Sequence, residues 1–206
     1  MKHARAFLLA AISAALFSIS TPTLAATPAP TACDMAAAHP ADPDRVTTGL
    51  AREAIDLEAA VAACQQVLAE RPDHARSAYQ LGRVLFYQGK AAEAVPYLLQ
   101  AEQVGYRQAI FVLGFIDITG ASPVSDACKG LARIRRGVAL DHPWSGYYLV
   151  SASLDGTFQP CKDAPERAEL ERAMQLAQQT ITVEASRGQV EALAAKFEDA
   201  GAAQTQ

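Results

Sequence analysis

Apolar positions recur at steps of three and four along most of this chain, and turn-forming residues divide them into segments of helical length. From Asp56 to Glu70, the residues Leu57, Ala60, Val61, Cys64, Val67 and Leu68 form the stripe of an amphipathic helix. Arg71-Pro72-Asp73 stops it, because Pro72 cannot continue a helix and Asp73 is placed to cap the next one. Arg76 to Tyr87 then buries Leu81, Val84 and Leu85. Gln88-Gly89-Lys90 turns the chain into a partner helix from Ala92 to Val104, with Ala94, Leu98 and Ala101 as its inner face. Pro96 is expected in that helix's first turns, where a missing backbone donor costs little.

Gly105 separates this pair from helices predicted at Arg107 to Ile118, Ala127 to Leu140 and Trp144 to Leu154, with turns at Thr119-Gly120, Asp141-His142-Pro143 and Asp155-Gly156. Thr157 to Asp163 reads as a loop. From Pro165, the run ERAELERAMQLAQQTITVEASRG reads as one capping helix with Leu170, Met174, Ala177 and Ile181 inside. A short helix from Gln189 to about Asp199 follows, and the last residues, GAAQTQ, are expected to fray.

The N-terminal stretch has a different pattern. Lys2, His3 and Arg5 precede an apolar run from Ala6 to Ile19, and Thr23-Leu24-Ala25 offers small residues where a signal peptidase reads, so residues 1–25 are expected to be a signal peptide. The run falls short of the roughly 20 residues needed to span a bilayer, so no stable membrane insertion is expected after cleavage. Residues 26–55 read as a Pro- and Ala-rich flexible leader up to Ala32, followed by an arm in which CDMAAAHP forms a short helix and Asp42-Pro43-Asp44 and Gly49 make turns. The expected organisation is therefore signal peptide (1–25), leader and arm (26–55), helical repeats (56–160) and C-terminal capping helices with a frayed tail (161–206).

Composition strengthens the helical reading. Hydrophobic residues make up 50% of the 206, enough for a core, and much of that content is Ala, which favours closely packed helices over a sheet. Removing Lys2 and Arg5 with the signal peptide lowers 18 basic residues to 16 against 22 acidic, a net charge of −6. That balance argues against nucleic acid and against a polybasic membrane-surface role. All four cysteines, Cys33, Cys64, Cys128 and Cys161, fall after the predicted cleavage point, and an even number in an exported chain implies two disulfides. Three connectivities are possible. Sequential pairing, Cys33 with Cys64 and Cys128 with Cys161, is the expected one; each closed loop would stabilise by roughly 3 kcal/mol. A periplasmic or secreted location follows from the signal and the cysteines together.

Two periods run through the centre. Leu81-Gly82 recurs as Leu113-Gly114 after 32 residues, and Leu113 and Gly120 recur as Leu149 and Gly156 after 36. Repeats of this length with a helix-turn-helix in each unit imply a solenoid. Gly82 and Gly114 would let two helix backbones approach closely, and Val150 in the third unit predicts a looser contact there. Ala78, Leu81, Gly82, Gly89, Ala94, Leu98 and Ala101 stand at tetratricopeptide (TPR) spacing, and the later units, Ala109-x3-Leu113-Gly114-x5-Gly120 and Ser145-x3-Leu149-x6-Gly156, look more like Sel1-like repeats. The chain thus resembles an exported bacterial TPR or Sel1-like repeat protein over about residues 56 to 160. The fold this implies is an all-α, short right-handed α-solenoid of antiparallel helix pairs.

That resemblance implies interaction rather than catalysis, with a protein or peptide bound on a concave surface lined by the first helix of each pair. By analogy with tetratricopeptide geometry, the inward positions are Arg76, Tyr79, Arg83, Phe86, Gln108, Phe111, Phe115, Trp144 and Tyr147, with Tyr and Arg the residue types of interface anchors. An alternative is a binder of small molecules or cell-wall fragments, with Phe111, Phe115, Trp144 and Tyr147 forming a pocket. The basic group Lys129, Arg133, Arg135 and Arg136 reads as a solvated helix face partly paired with the acids after Asp163. His39, His74 and His142 sit in Pro-containing turns, where capping and solvent exposure account for them. No nucleophile motif, phosphate-cradling glycine run or metal-ligand spacing is present, so neither an enzymatic role nor a cofactor is expected.

Overall fold

The structure, a computed structural model, describes residues 29–122 and 125–204. The expected signal peptide, residues 1–25, and the start of the leader lie outside the described residues. The rest is all-helical, with no strand among the described residues. The helices are α1 (Ala32–Ala37), α2 (Leu57–Glu70), α3 (Ala75–Tyr87), α4 (Ala91–Gln103), α5 (Arg107–Thr119), α6 (Ala127–Ala139), α7 (Pro143–Leu154), α8 (Arg167–Thr180) and α9 (Glu184–Gln204). A single 3-10 turn at Arg52–Ala54 precedes α2.

Neighbouring helices pack in succession, α3 on α4, α5 on α6 and α7 on α8, which makes the core an α-solenoid of helix pairs. One core cluster joins Cys33 and Ala37 of the arm to Ala60, Cys64, Leu81 and Val84 of α2 and α3. A second joins Tyr79, Leu98, Ala101, Ala109 and Leu113 across α3, α4 and α5. The third runs from Phe111 of α5 through Leu149 and Met174 to Phe197 of α9.

Glycines set how closely the pairs approach. A Cβ on Gly82 would come within 2.8 Å of the Leu98 side chain, and one on Gly114 within 3.0 Å of Ile134, so both positions need the missing side chain. The looser third contact expected from Val150 is not found. Gly146, one turn earlier on α7, supplies the approach instead, and any Cβ there would collide with the Ala173 carbonyl oxygen of α8. Val150 itself is fully buried.

Other local expectations also shift. His74, not Asp73, caps α3, its side chain accepting from Ser77 N. Pro96 is the sixth residue of α4, in its second turn but past the N–H groups left free at a helix start, so a backbone bond to Ala92 is lost there, on an exposed position. The long helix expected from Pro165 stops at Thr180, where Thr180-Ile181-Thr182-Val183 places four β-branched residues in a row. The chain restarts as α9, which runs to Gln204, so helix replaces fraying over most of the GAAQTQ tail.

Both sequential disulfides are present. Cys33–Cys64 ties α1 to α2 with Cα atoms 4.4 Å apart, and Cys128–Cys161 ties α6 to the loop after α7 with Cα atoms 5.4 Å apart. Two such bonds point to an oxidising, extracellular-type compartment. No helix among the described residues is long and apolar enough to cross a membrane.

Candidate functional site

The arm before α2 is a folded element. Thr31 and Asp34 form a capping box at the start of α1, each side chain bonding the other's backbone N–H. Asp34 then reaches α3: it accepts from Arg76 Nε at 2.6 Å and Nη2 at 3.0 Å, and from Gln80 Nε2 at 2.9 Å. Burial works against the charged form of Asp34, but the bonds from Arg76, Thr31 and Gln80 outweigh it and hold the carboxyl down to about 2. Further along, Asp42 accepts from the Tyr106 hydroxyl at 2.6 Å, and Asp44 takes a two-pronged bond from Arg107 of α5 at 2.6 and 3.0 Å. Asp42 is fully buried, and burial is the main reason its carboxyl is pushed up to about 6.

Arg83 of α3 closes this docking surface. Its guanidinium donates to the Ala37 carbonyl at the end of α1 (2.8 Å), to the Leu50 carbonyl (2.8 Å) and to the Tyr87 hydroxyl (3.1 Å). Carbonyls at a helix C-terminus suit a cation. Arg76 and Arg83, expected as free inner-face anchors, are therefore engaged by the chain's own arm, and Arg83 is only 4% exposed.

Beyond the arm, the inner faces of α3, α5 and α7, with Leu98 of α4, line a half-open cavity of about 370 Å³. Seven of the nine sequence-selected residues line it: Tyr79, Arg83, Phe86, Gln108, Phe111, Phe115 and Trp144. Tyr147 does not line the cavity but packs edge-on against Trp144, with ring centroids 5.6 Å apart. Tyr148, which the repeat analogy missed, occupies the centre of the aromatic wall, its ring 5.0 Å from Phe115 and 5.6 Å from Phe111. His39 and Ala41 of the arm and Gln189 of α9 also border the space. Their contribution had no signal in the sequence, because it depends on where two non-repeat segments fold back.

A buried polar chain supports the cavity from behind. Gln108 hydrogen-bonds the Tyr79 hydroxyl and accepts from His142 Nε2 at 2.8 Å, while His142 Nδ1 lies 3.3 Å from the Ser145 hydroxyl. His142 is not solvent-exposed as its turn position implied. It is fully buried and stacks on Phe111 with centroids 4.4 Å apart, and burial first, with Arg107 adding to it, lowers its pKa to about 3. The neutral ring fixes the rotation of Phe111 and Gln108. Ser145 is equally buried, so this serine and histidine brace the turn between α6 and α7.

Of the four basic residues of α6, Arg133 and Arg135 are paired with acids elsewhere in the fold, whereas Lys129 is exposed and Arg136 donates to the Glu102 carbonyl oxygen. Arg133 pairs with Glu102 at 2.9 Å and with Asp117, and Arg135 pairs with Asp163 and Glu169, both at 2.7 Å. Among the described residues, no cluster of three or more His, Cys, Asp or Glu is arranged to hold a metal ion. No family model, curated protein or solved structure matches the chain.

Proposed function

We propose that this protein is an exported helical-repeat binding module of TPR or Sel1-like type, acting in the periplasm or after secretion, that holds its ligand in the aromatic cavity on the inner face of α3, α5 and α7. The observation that carries this reading is the convergence of Tyr79, Phe86, Gln108, Phe111, Phe115 and Trp144 on one space of about 370 Å³. Mostly apolar walls with a few directed polar groups are the usual make-up of a ligand site, and this volume lies at the small-ligand end of the usual range.

Between the two readings that the sequence left open, the position of the arm favours the second. A concave surface free to receive an extended peptide would need Arg76, Gln80 and Arg83 open, yet Asp34, Ala37 and Leu50 of the arm occupy them. The space left suits a small molecule or a single anchoring group of a protein partner. In this reading the protein is a sensor or modulator: ligand occupancy alters how it engages an envelope partner, and no bond in the ligand is broken.

Trp144 is the only tryptophan and lies in the cavity wall. A ligand screen following its emission should give saturable shifts that Phe111→Ala and Phe115→Ala weaken at least tenfold. Binding unaffected by either substitution would place the ligand elsewhere and refute the proposal.

A further inference from the structure

Arg83 borders the cavity, is 4% exposed, and has no carboxylate ion-paired to it among the described residues; its three bonds go to two carbonyls and a phenol. The acids of the adjoining arm are committed elsewhere: Asp34 to Arg76 and Gln80, Asp42 to the Tyr106 hydroxyl and to Asp44 N at 2.9 Å, and Asp44 to Arg107. A buried guanidinium stays ionised and retains five N–H donors, so two remain for another acceptor. A buried charge with only neutral partners is costly unless an anion can join it.

A second donor lies at the same end. His39 Nδ1 accepts from Ala41 N at 3.0 Å, so the neutral ring carries its proton on Nε2, and this side chain also lines the cavity. Burial first, then Arg83 and Arg45, lower the His39 pKa to about 4, so the ring is neutral at pH 7 and offers its Nε2 proton without a charge of its own. Phe111, Phe115, Trp144 and Tyr148 supply much of the aromatic lining, and the side-chain amides of Gln108 and Gln189 also border the space.

We infer that the cavity takes a small monocarboxylate with an apolar body, its carboxylate received by Arg83 and His39 and its aliphatic or aromatic portion held against Phe111, Phe115, Trp144 and Tyr148. This deepens the cavity-binding reading and rests on it. The carboxylate gains charge-assisted hydrogen bonds from a buried guanidinium, where they are stronger than on an open surface. The arm becomes part of the site, since it supplies His39 and, through Ala37 and Leu50, aims Arg83.

The test is calorimetric titration of the full disulfide-bonded chain with decanoate and 3-phenylpropionate and with their primary amides, which keep the shape and lack the charge. Each carboxylate that binds is expected to do so at least tenfold more tightly than its amide, and the two carboxylates separate an aliphatic from an aromatic body. Arg83→Met should abolish the preference. Because that change also loosens the arm, His39→Leu provides a second variant in which Arg83 keeps its partners, and the preference should fall at least threefold. Equal affinity for carboxylate and amide would overturn the anionic inference while leaving cavity binding intact. Absence of binding by all four compounds would overturn both.

Discussion

Asp34→Asn tests whether the arm is an integral wall of the site. The substitution keeps the shape of the side chain and removes the charge opposite Arg76, whose side chain is 10% exposed beside a fully buried Asp34 side chain. Removing one partner of a buried pair typically costs about 3–5 kcal/mol. An independent figure comes from titration: a carboxyl held at about 2 in the fold and at 3.8 unfolded contributes about 2 kcal/mol. Because the folded value is depressed, that contribution is complete above pH 3.8 and is lost as pH falls toward 2. With a urea slope of about 2 kcal/mol/M, a loss of about 2–3 kcal/mol moves the midpoint down by roughly 1–1.5 M at pH 7. Urea unfolding of Asp34→Asn, Arg76→Gln and the double variant measures the coupling directly, and the double variant should cost at least about 2 kcal/mol less than the sum of the singles. Hydrogen exchange should show the amides of residues 33–50 losing protection in both singles. A coupling below about 0.5 kcal/mol with arm protection unchanged would refute the claim that this pair docks the arm.

Two further perturbations probe packing and charge. Gly146→Ala forces a methyl against the Ala173 carbonyl and should cost about 2–3 kcal/mol by thermal unfolding, whereas Gly188→Ala, in a helical position with open space around it, should be neutral or stabilise by up to about 1 kcal/mol. Asp42 has the opposite sign to Asp34: its raised folded value means its contribution is complete below pH 3.8 and is lost as pH rises through about 6. Relative to Asp42→Asn, the unaltered protein should therefore lose about 3 kcal/mol between pH 4 and pH 7 in parallel denaturation curves, and a flat difference would contradict the burial-driven shift.

The helix pairs were legible because each buries an apolar stripe at helical spacing, and their close approach was legible at Leu81-Gly82 and Leu113-Gly114. The third pair was misread because the approaching glycine, Gly146, sits a turn away from the position that the Leu-Gly pattern marks. Most of the cavity wall could also be read, since a repeat presents equivalent positions of α3, α5 and α7 to one side, and Phe111, Phe115 and Trp144 occupy them. What stayed hidden was long-range and polar. Nothing local to Arg76 or Arg83 announces that Asp34 and the Ala37 carbonyl, more than 40 residues away, will meet them. His142 was hidden for a related reason: a histidine before a proline looks like an exposed cap until Phe111 and Gln108 from another helix close over it. The break after Thr180 had a local signal in its β-branched run, which the strong charge pattern on either side obscured.

The central claim is that the inner aromatic cavity is where this protein binds. Its most direct test is aromatic and methyl chemical-shift mapping by NMR during titration with decanoate or 3-phenylpropionate. The account predicts that the perturbations concentrate on Tyr79, Phe86, Leu98, Phe111, Phe115, Trp144 and Tyr148, with the outer helices α6 and α8 unmoved. Saturable shifts centred on the Arg133 and Arg135 face of α6, with the cavity rings unchanged, would contradict it.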